Sequence, residues 1–171
     1  YTIFCAEVAS TTNEALLIHY LINKEEDKKK KLYLINQELE QIRTTVFRQI
    51  MFAEFELYTH ESFEKGIPLT AEDYNAKWHE LNVKYFGEDI VVDNEIDVEW
   101  SRIPHFYNDF YVYQYATGYS AAQALSRLIL EDSKNAQVYI DEFLSKGNSD
   151  YPINVLKNAG VDMSKPEAIE L

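Results

Sequence analysis

The sequence predicts an all-α fold, and three observations carry that expectation. Apolar residues recur at helical spacing over long stretches: Phe4, Val8, Ala15, Ile18, Leu21 and Ile22 in one, and Leu32, Ile35, Leu39, Ile42, Val46, Ile50, Phe55 and Tyr58 in another. Only five glycines and four prolines punctuate 171 residues, so few positions favour a turn or a helix break. Thirteen tyrosines supply large side chains that are apolar along the ring and polar at the tip, suited to long amphipathic helices. With 46% hydrophobic residues the chain can bury a core of its own, which excludes disordered and collagen-like classes. No internal repeat or linker marks a boundary, so residues 1–171 read as a single helical domain.

The elements follow in order. A first helix is expected from Ile3 to Asn23. The charged run Asn23 to Lys31 then makes a solvated turn or an exposed helix start. A long helix follows from Leu32 to Phe63, its apolar stripe widened by Phe47, Met51 and Phe52, so that it must pack on both sides for part of its length. Gly66-Ile67-Pro68 breaks it. Thr70 is placed to cap a third helix, with Glu72 and Asp73 in its first turn where the positive end of the helix dipole favours acids, and Gly87 ends it. Residues 87–104 read as a long acidic loop holding one short extended piece. Pro104 to Tyr115 is dense in aromatics, and a helix resumes after Gly118. Shorter helices are expected from Asn135 to Leu144, from Pro152 to Asn158 and from Lys165 to the end.

Charge and composition exclude several roles. Sixteen basic residues against twenty-nine acidic ones leave a formal net charge of −13, the wrong sign for gathering nucleic-acid phosphates. No apolar stretch approaches the roughly 20 residues that a membrane-spanning helix needs. Cys5 is the single cysteine, so no internal disulfide is possible, and a reducing, cytoplasmic setting is expected. The apolar start at Tyr1 reads like the interior of a larger protein.

Two groups of residues could carry chemistry. Glu7 and Glu14 lie seven residues apart, nearly two turns along one face of the first helix, among small and apolar neighbours that would bury them. A buried carboxylate is costly unless paired or bound to metal, though pairing with neighbouring helices or simple exposure would also account for both. His105 and the tyrosines after it supply neutral donors able to bind a peptide carbonyl or a developing oxyanion. An aromatic core edge with backbone-bonded phenols is the plainer alternative. Glu54 and Glu56 read as ion-pair partners of Arg43 and Arg48 along one helix face. His19, His60 and His79 have no metal-site spacing, and Cys5 reads as an inert thiol.

Tyr1 to Glu14, YTIFCAEVASTTNE, resembles the segment that follows the zinc motif in the oligoendopeptidase F branch of the thimet-type M3 metallopeptidase family. Phe47-Arg48-Gln49 through Phe55-Glu56, Pro104-His105-Phe106-Tyr107 through Tyr113 to Gly118, and Leu156 to Met163 agree with the same family. The likeness covers essentially the whole chain. It implies a multi-helix C-terminal piece of the catalytic lobe of a zincin-like, channel-containing peptidase that hydrolyses internal bonds of short peptides. By the same resemblance Glu7 is the third zinc ligand, and Glu14 orients a zinc-binding histidine. His105 and Tyr113 stabilise the tetrahedral intermediate, and Tyr107 contacts substrate. Oligopeptides and the N-terminal remainder of the parent peptidase are the implied partners. No HExxH occurs: His60 is followed by Glu61 but then Glu64, and His79 by Glu80 but then Val83. Zinc is therefore expected in the intact parent, weak or absent in this chain, and the chain alone should be inactive. A non-catalytic helical peptide-binding or interaction domain is the competing expectation.

Overall fold

A computed structural model describes residues 2–170 and is built of helices, with no strand among the described residues. The α-helices are α1 (Ile3–Ala6), α2 (Val8–Lys24), α3 (Lys28–Ile42), α4 (Arg48–Glu64), α5 (Ala71–Phe86), α6 (Tyr113–Glu131), α7 (Asn135–Val138) and α8 (Pro152–Asn158). The all-α expectation is met. No helix is long and apolar enough to cross a membrane among the described residues. The chain divides into two compact units, Tyr1–Ile42 with Gln114–Leu171, and Arg43–Tyr113.

The first unit packs α2, α6, a π-helical segment at Tyr139–Leu144 and α8 around Val8, Ala121, Leu125, Phe143 and Leu156. Gly118 on α6 faces Val8 on α2, where a Cβ would make ordinary van der Waals contact with Val8 Cγ2 at 3.9 Å. Gly160 ends α8 at φ +101°, a conformation side-chain-bearing residues rarely adopt, and a Cβ there would stand 3.1 Å from Leu128 Cδ1. The charged run between α2 and α3 is the solvated turn expected of it, with Asp27 Oδ1 accepting from the N–H groups of Lys29 and Lys30 at the start of α3.

The second unit packs α4 and α5 around Met51, Phe52, Phe55, Trp78 and Leu81, with Ile103 and Val112 closing the cluster. Thr70 caps α5 as expected. Its hydroxyl accepts from Asp73 N–H while Asp73 reaches back to the Thr70 N–H, satisfying two end donors at once. Glu54 on α4 accepts from Lys84 Nζ at 2.8 Å and from the Tyr85 hydroxyl at 3.0 Å on α5. Burial and the adjacent Glu54 carboxylate push the Tyr85 phenol up to about 12.

Four expectations change. The long second helix is interrupted by a π-helical segment at Arg43–Phe47, and a step of three to five between apolar residues fits either geometry. The acidic segment contains a 3-10 helix at Asn94–Arg102 in place of an extended piece. Side-chain anchors invisible to periodicity hold it: Glu99, 6% exposed, accepts from Arg48 and Arg102 at 2.6 Å each, Trp100 Nε1–H donates to Asn75, and Asp97 meets His79 at 2.7 Å. The helix α6 begins at Tyr113, five residues before Gly118, because its first turn is aromatic and lacks the apolar repeat. Near the C-terminus, among the described residues, a 3-10 turn at Pro166–Ala168 stands in place of the expected helix.

Replacing Gly160 by alanine is expected to destabilise the chain by about 1–3 kcal/mol, since it forces a side chain into a strained conformation and against Leu128. Thermal unfolding measures this, and an unchanged midpoint would mean that the α8 turn relaxes freely.

Candidate functional site

The aromatic stretch singled out in the sequence is an ordered turn of the second unit. A 3-10 helix, Pro104–Tyr107, starts on a proline that presets its backbone, and α6 starts six residues later at Tyr113. Between them Asn108 N–H donates to the His105 carbonyl at 3.0 Å and Tyr111 N–H to the Asn108 carbonyl at 3.2 Å. Phe110 carries φ +54°, among the described residues the single non-glycine in the left-handed region.

Glu56 holds that strained residue. It sits on α4, 4% exposed, and its Oε1 accepts the Phe110 N–H at 2.8 Å. Burial raises the Glu56 carboxyl above its ordinary range, opposed by the Phe110 N–H and by His60 one turn further along the helix. The Phe110 ring lies 4.7 Å from the His60 imidazole. The expected ion pairs of Glu54 and Glu56 with Arg43 and Arg48 give way to other partners: Arg48 serves Glu99, Glu54 serves Lys84, and Glu56 serves the backbone. A side-chain pattern cannot reveal a carboxylate whose partner is a main-chain N–H 54 residues away.

The turn displays its functional candidates unequally. Tyr107 is 87% exposed and Tyr113 is 44% exposed at the first turn of α6. His105 is half-buried, with its ring stacked on Tyr111 at 5.9 Å and 28° between planes. One short segment thus carries an imidazole and two accessible phenols in the same unit, and a buried carboxylate fixes its backbone.

Glu7 and Glu14 lie in the first unit and are both exposed, the alternative to burial that the sequence left open. The buried line of α2 is Val8, Thr12 and Ala15, and each glutamate precedes a member of that line by one residue, which turns it about 100° away. Glu7 joins α1 to α2 with φ −96° and ψ −6°, and its carbonyl accepts the Thr11 N–H at 2.9 Å, so the helical path continues through it. The Ser10 hydroxyl meets the Glu7 carboxylate at 3.3 Å, and Gln41 Nε2 donates to Glu14 at 3.1 Å. No group of three His, Cys, Asp or Glu able to hold a metal occurs among the described residues. A catalytic zinc needs three protein ligands, and Glu7 and Glu14 are the two carboxylates that the resemblance offers toward such a centre. Cys5 is half-buried, and burial pushes its thiol up, which makes it a poor nucleophile.

The model of peptidase family M3 matches residues 1–171. The chain belongs to peptidase family M3. It is 60% identical over 170 residues to Oligopeptidase PepF of Bacillus subtilis, covering 99% of this chain and 25% of that protein. It is 45% identical to the chromosomal Oligoendopeptidase F of Lactococcus lactis subsp. cremoris, covering 28% of that chain. The crystal structure of oligoendopeptidase-F from Enterococcus faecium superposes with a TM-score of 0.89 at 48% identity, over 98% of this chain and 33% of that one. The chain therefore spans about a quarter to a third of the length of these relatives. In this M3 chain the turn that carries His105, Tyr107 and Tyr113 rests on Glu56, whose place in the sequence suggests an ion-pair partner of helix arginines instead.

Replacing Glu56 by leucine is expected to leave the Phe110 N–H without an acceptor and to cost about 1–3 kcal/mol, whereas glutamine, which keeps an acceptor oxygen, should cost less. Amide hydrogen exchange at Phe110, read with urea unfolding, checks this. Unchanged protection of Phe110 in the leucine variant would show that another constraint holds the turn.

Proposed function

We propose that this chain is the part of a zinc-dependent oligoendopeptidase that supplies His105 and Tyr113 to the tetrahedral intermediate, Tyr107 to the substrate, and one metal ligand, Glu7. The observation that carries the reading is the ordered Pro104–Tyr113 turn, which holds an imidazole and two accessible phenols on one clamped piece of backbone in a chain of this family. A phenol O–H and an imidazole N–H are neutral donors. They gain most when a carbonyl oxygen becomes an oxyanion, so they favour the transition state over the bound peptide. Their fixed backbone means that little reorganisation is needed when that charge develops.

Glu7 fits one place in a zinc ligand set whose other members lie outside this sequence, and Glu14, seven residues along, would orient one of them through its second carboxylate oxygen. The chain taken alone is therefore proposed to be inactive, and the substrates of the longer protein to be short peptides cleaved at internal bonds. The exposed state of both carboxylates is compatible with ligands arriving from elsewhere in a longer chain.

Kinetics of the longer protein test the reading. Tyr113→Phe should lower kcat by roughly a hundredfold or more with KM nearly unchanged, as expected for an oxyanion donor. A change confined to KM would remove Tyr113 from the intermediate and leave it a binding residue.

A further inference from the structure

Glu56 does not hold the Pro104–Tyr113 turn alone. His60 stands one turn further along α4, half-buried, and its imidazole lies 4.7 Å from the Phe110 ring with 42° between planes. Glu56 accepts the Phe110 N–H at 2.8 Å, so α4 meets this residue twice, by a carboxylate at its backbone and by an imidazole at its ring. Both side chains line a cavity of about 240 Å³ in the second unit, in which, among the described residues, no lysine or arginine joins them. The other titratable members of that lining are the phenols of Tyr74 and Tyr107. On the same helix Glu64, four residues beyond His60, is exposed.

The turn brings a second acid to this place. Burial is the main force that raises the Glu56 carboxyl, and the Asp109 carboxylate beside Phe110 adds to it, while the Phe110 N–H and His60 oppose it. Like charges on the two sides of a packed joint push it apart. An imidazolium offsets that repulsion and is drawn to an aromatic ring within about 6 Å, whereas a neutral imidazole does neither. Histidine is the side chain that changes charge between about pH 5 and 8.

We infer that His60 is a positioning residue of this turn: charged, it draws Asp109 and the Phe110 ring onto α4 and tightens the seat of His105 and Tyr113, and neutral, it loosens that seat. The bearing on catalysis rests on the proposed roles of His105 and Tyr113, whereas the hold on Phe110 does not. The contribution of the charged imidazole is present on the acid side and is lost as pH rises. The acceptor weakens in the opposite direction, as pH falls and the raised Glu56 carboxyl takes up its proton. The hold is therefore firmest between the two events.

Amide exchange at Phe110 in the 171-residue chain, corrected for the intrinsic pH dependence of exchange, tests this. Protection should fall by roughly three- to tenfold from about pH 6 to about pH 8. His60→Gln, neutral throughout, should show the lower protection with no fall, and His60→Lys, charged throughout, should keep the higher value. His19→Gln, in the first unit, should follow the unsubstituted chain. In the longer protein His60→Gln should lower kcat severalfold at about pH 6 and leave it unchanged at about pH 8, a split that a purely packing role would not produce. A flat profile in the unsubstituted chain, a fall that survives in His60→Gln, or an equal loss of kcat at both pH values overturns the inference. A longer protein that cleaves no peptide, while Phe110 protection still follows the charge of His60, overturns the peptidase reading instead and leaves the hold on the turn in place.

Discussion

The arrangement of the second unit turns on one hydrogen bond, from the Phe110 N–H to the buried carboxylate of Glu56. A left-handed phenylalanine is strained, and such strain persists only where the surroundings over-determine it. Here the carboxylate of a buried residue meets the N–H at 2.8 Å, a directional bond to a charged acceptor. Everything that the turn displays depends on that placement: His105 on one side, Tyr113 on the other, and Tyr107 standing into solvent.

Around this bond the unit is tied by contacts between elements far apart in sequence. Glu54 draws Lys84 and Tyr85 to α4, Asn75 and His79 on α5 hold Trp100 and Asp97, and Glu99 gathers two arginines. Polar groups of this kind stabilise little when exposed, but when half-buried they select one geometry over others by the cost of leaving a partner unsatisfied. The first unit has a different character, with a core of small and branched residues on α2, α6 and α8. It leaves Leu17, Tyr20, Leu32, Tyr33 and Leu39 on α2 and α3 exposed. A chain that spans about a quarter of the Bacillus subtilis relative also exposes both glutamates that its family resemblance assigns to a metal centre.

Helix identity was readable wherever the determinant was local. Thr70 with Asp73, Gly87 at φ +84° and Pro152 at the start of α8 each mark an element end through chemistry confined to one turn. The 3-10 helix at Asn94–Arg102 was not readable, because Glu99, Trp100 and Asp97 are held by residues 18 to 51 positions away. The site shows the same division. Its aromatic turn was conspicuous as a cluster of types, whereas burial or exposure of Glu7 and Glu14 stayed open because small neighbours in sequence do not decide which face of a helix meets the core. Glu56 escaped notice as an anchor, since its partner is a backbone group that any sequence possesses.

The central claim is that this chain contributes a ligand and intermediate-stabilising groups to a metal centre completed by the rest of a longer peptidase. Elemental analysis of the longer protein and its Glu7→Gln variant after dialysis, with peptide cleavage assayed in the same samples, tests it most directly. The account requires stoichiometric zinc and activity in the parent, and loss of both in the variant. A Glu7→Gln protein that keeps its zinc and cleaves peptides at the parent rate would contradict it.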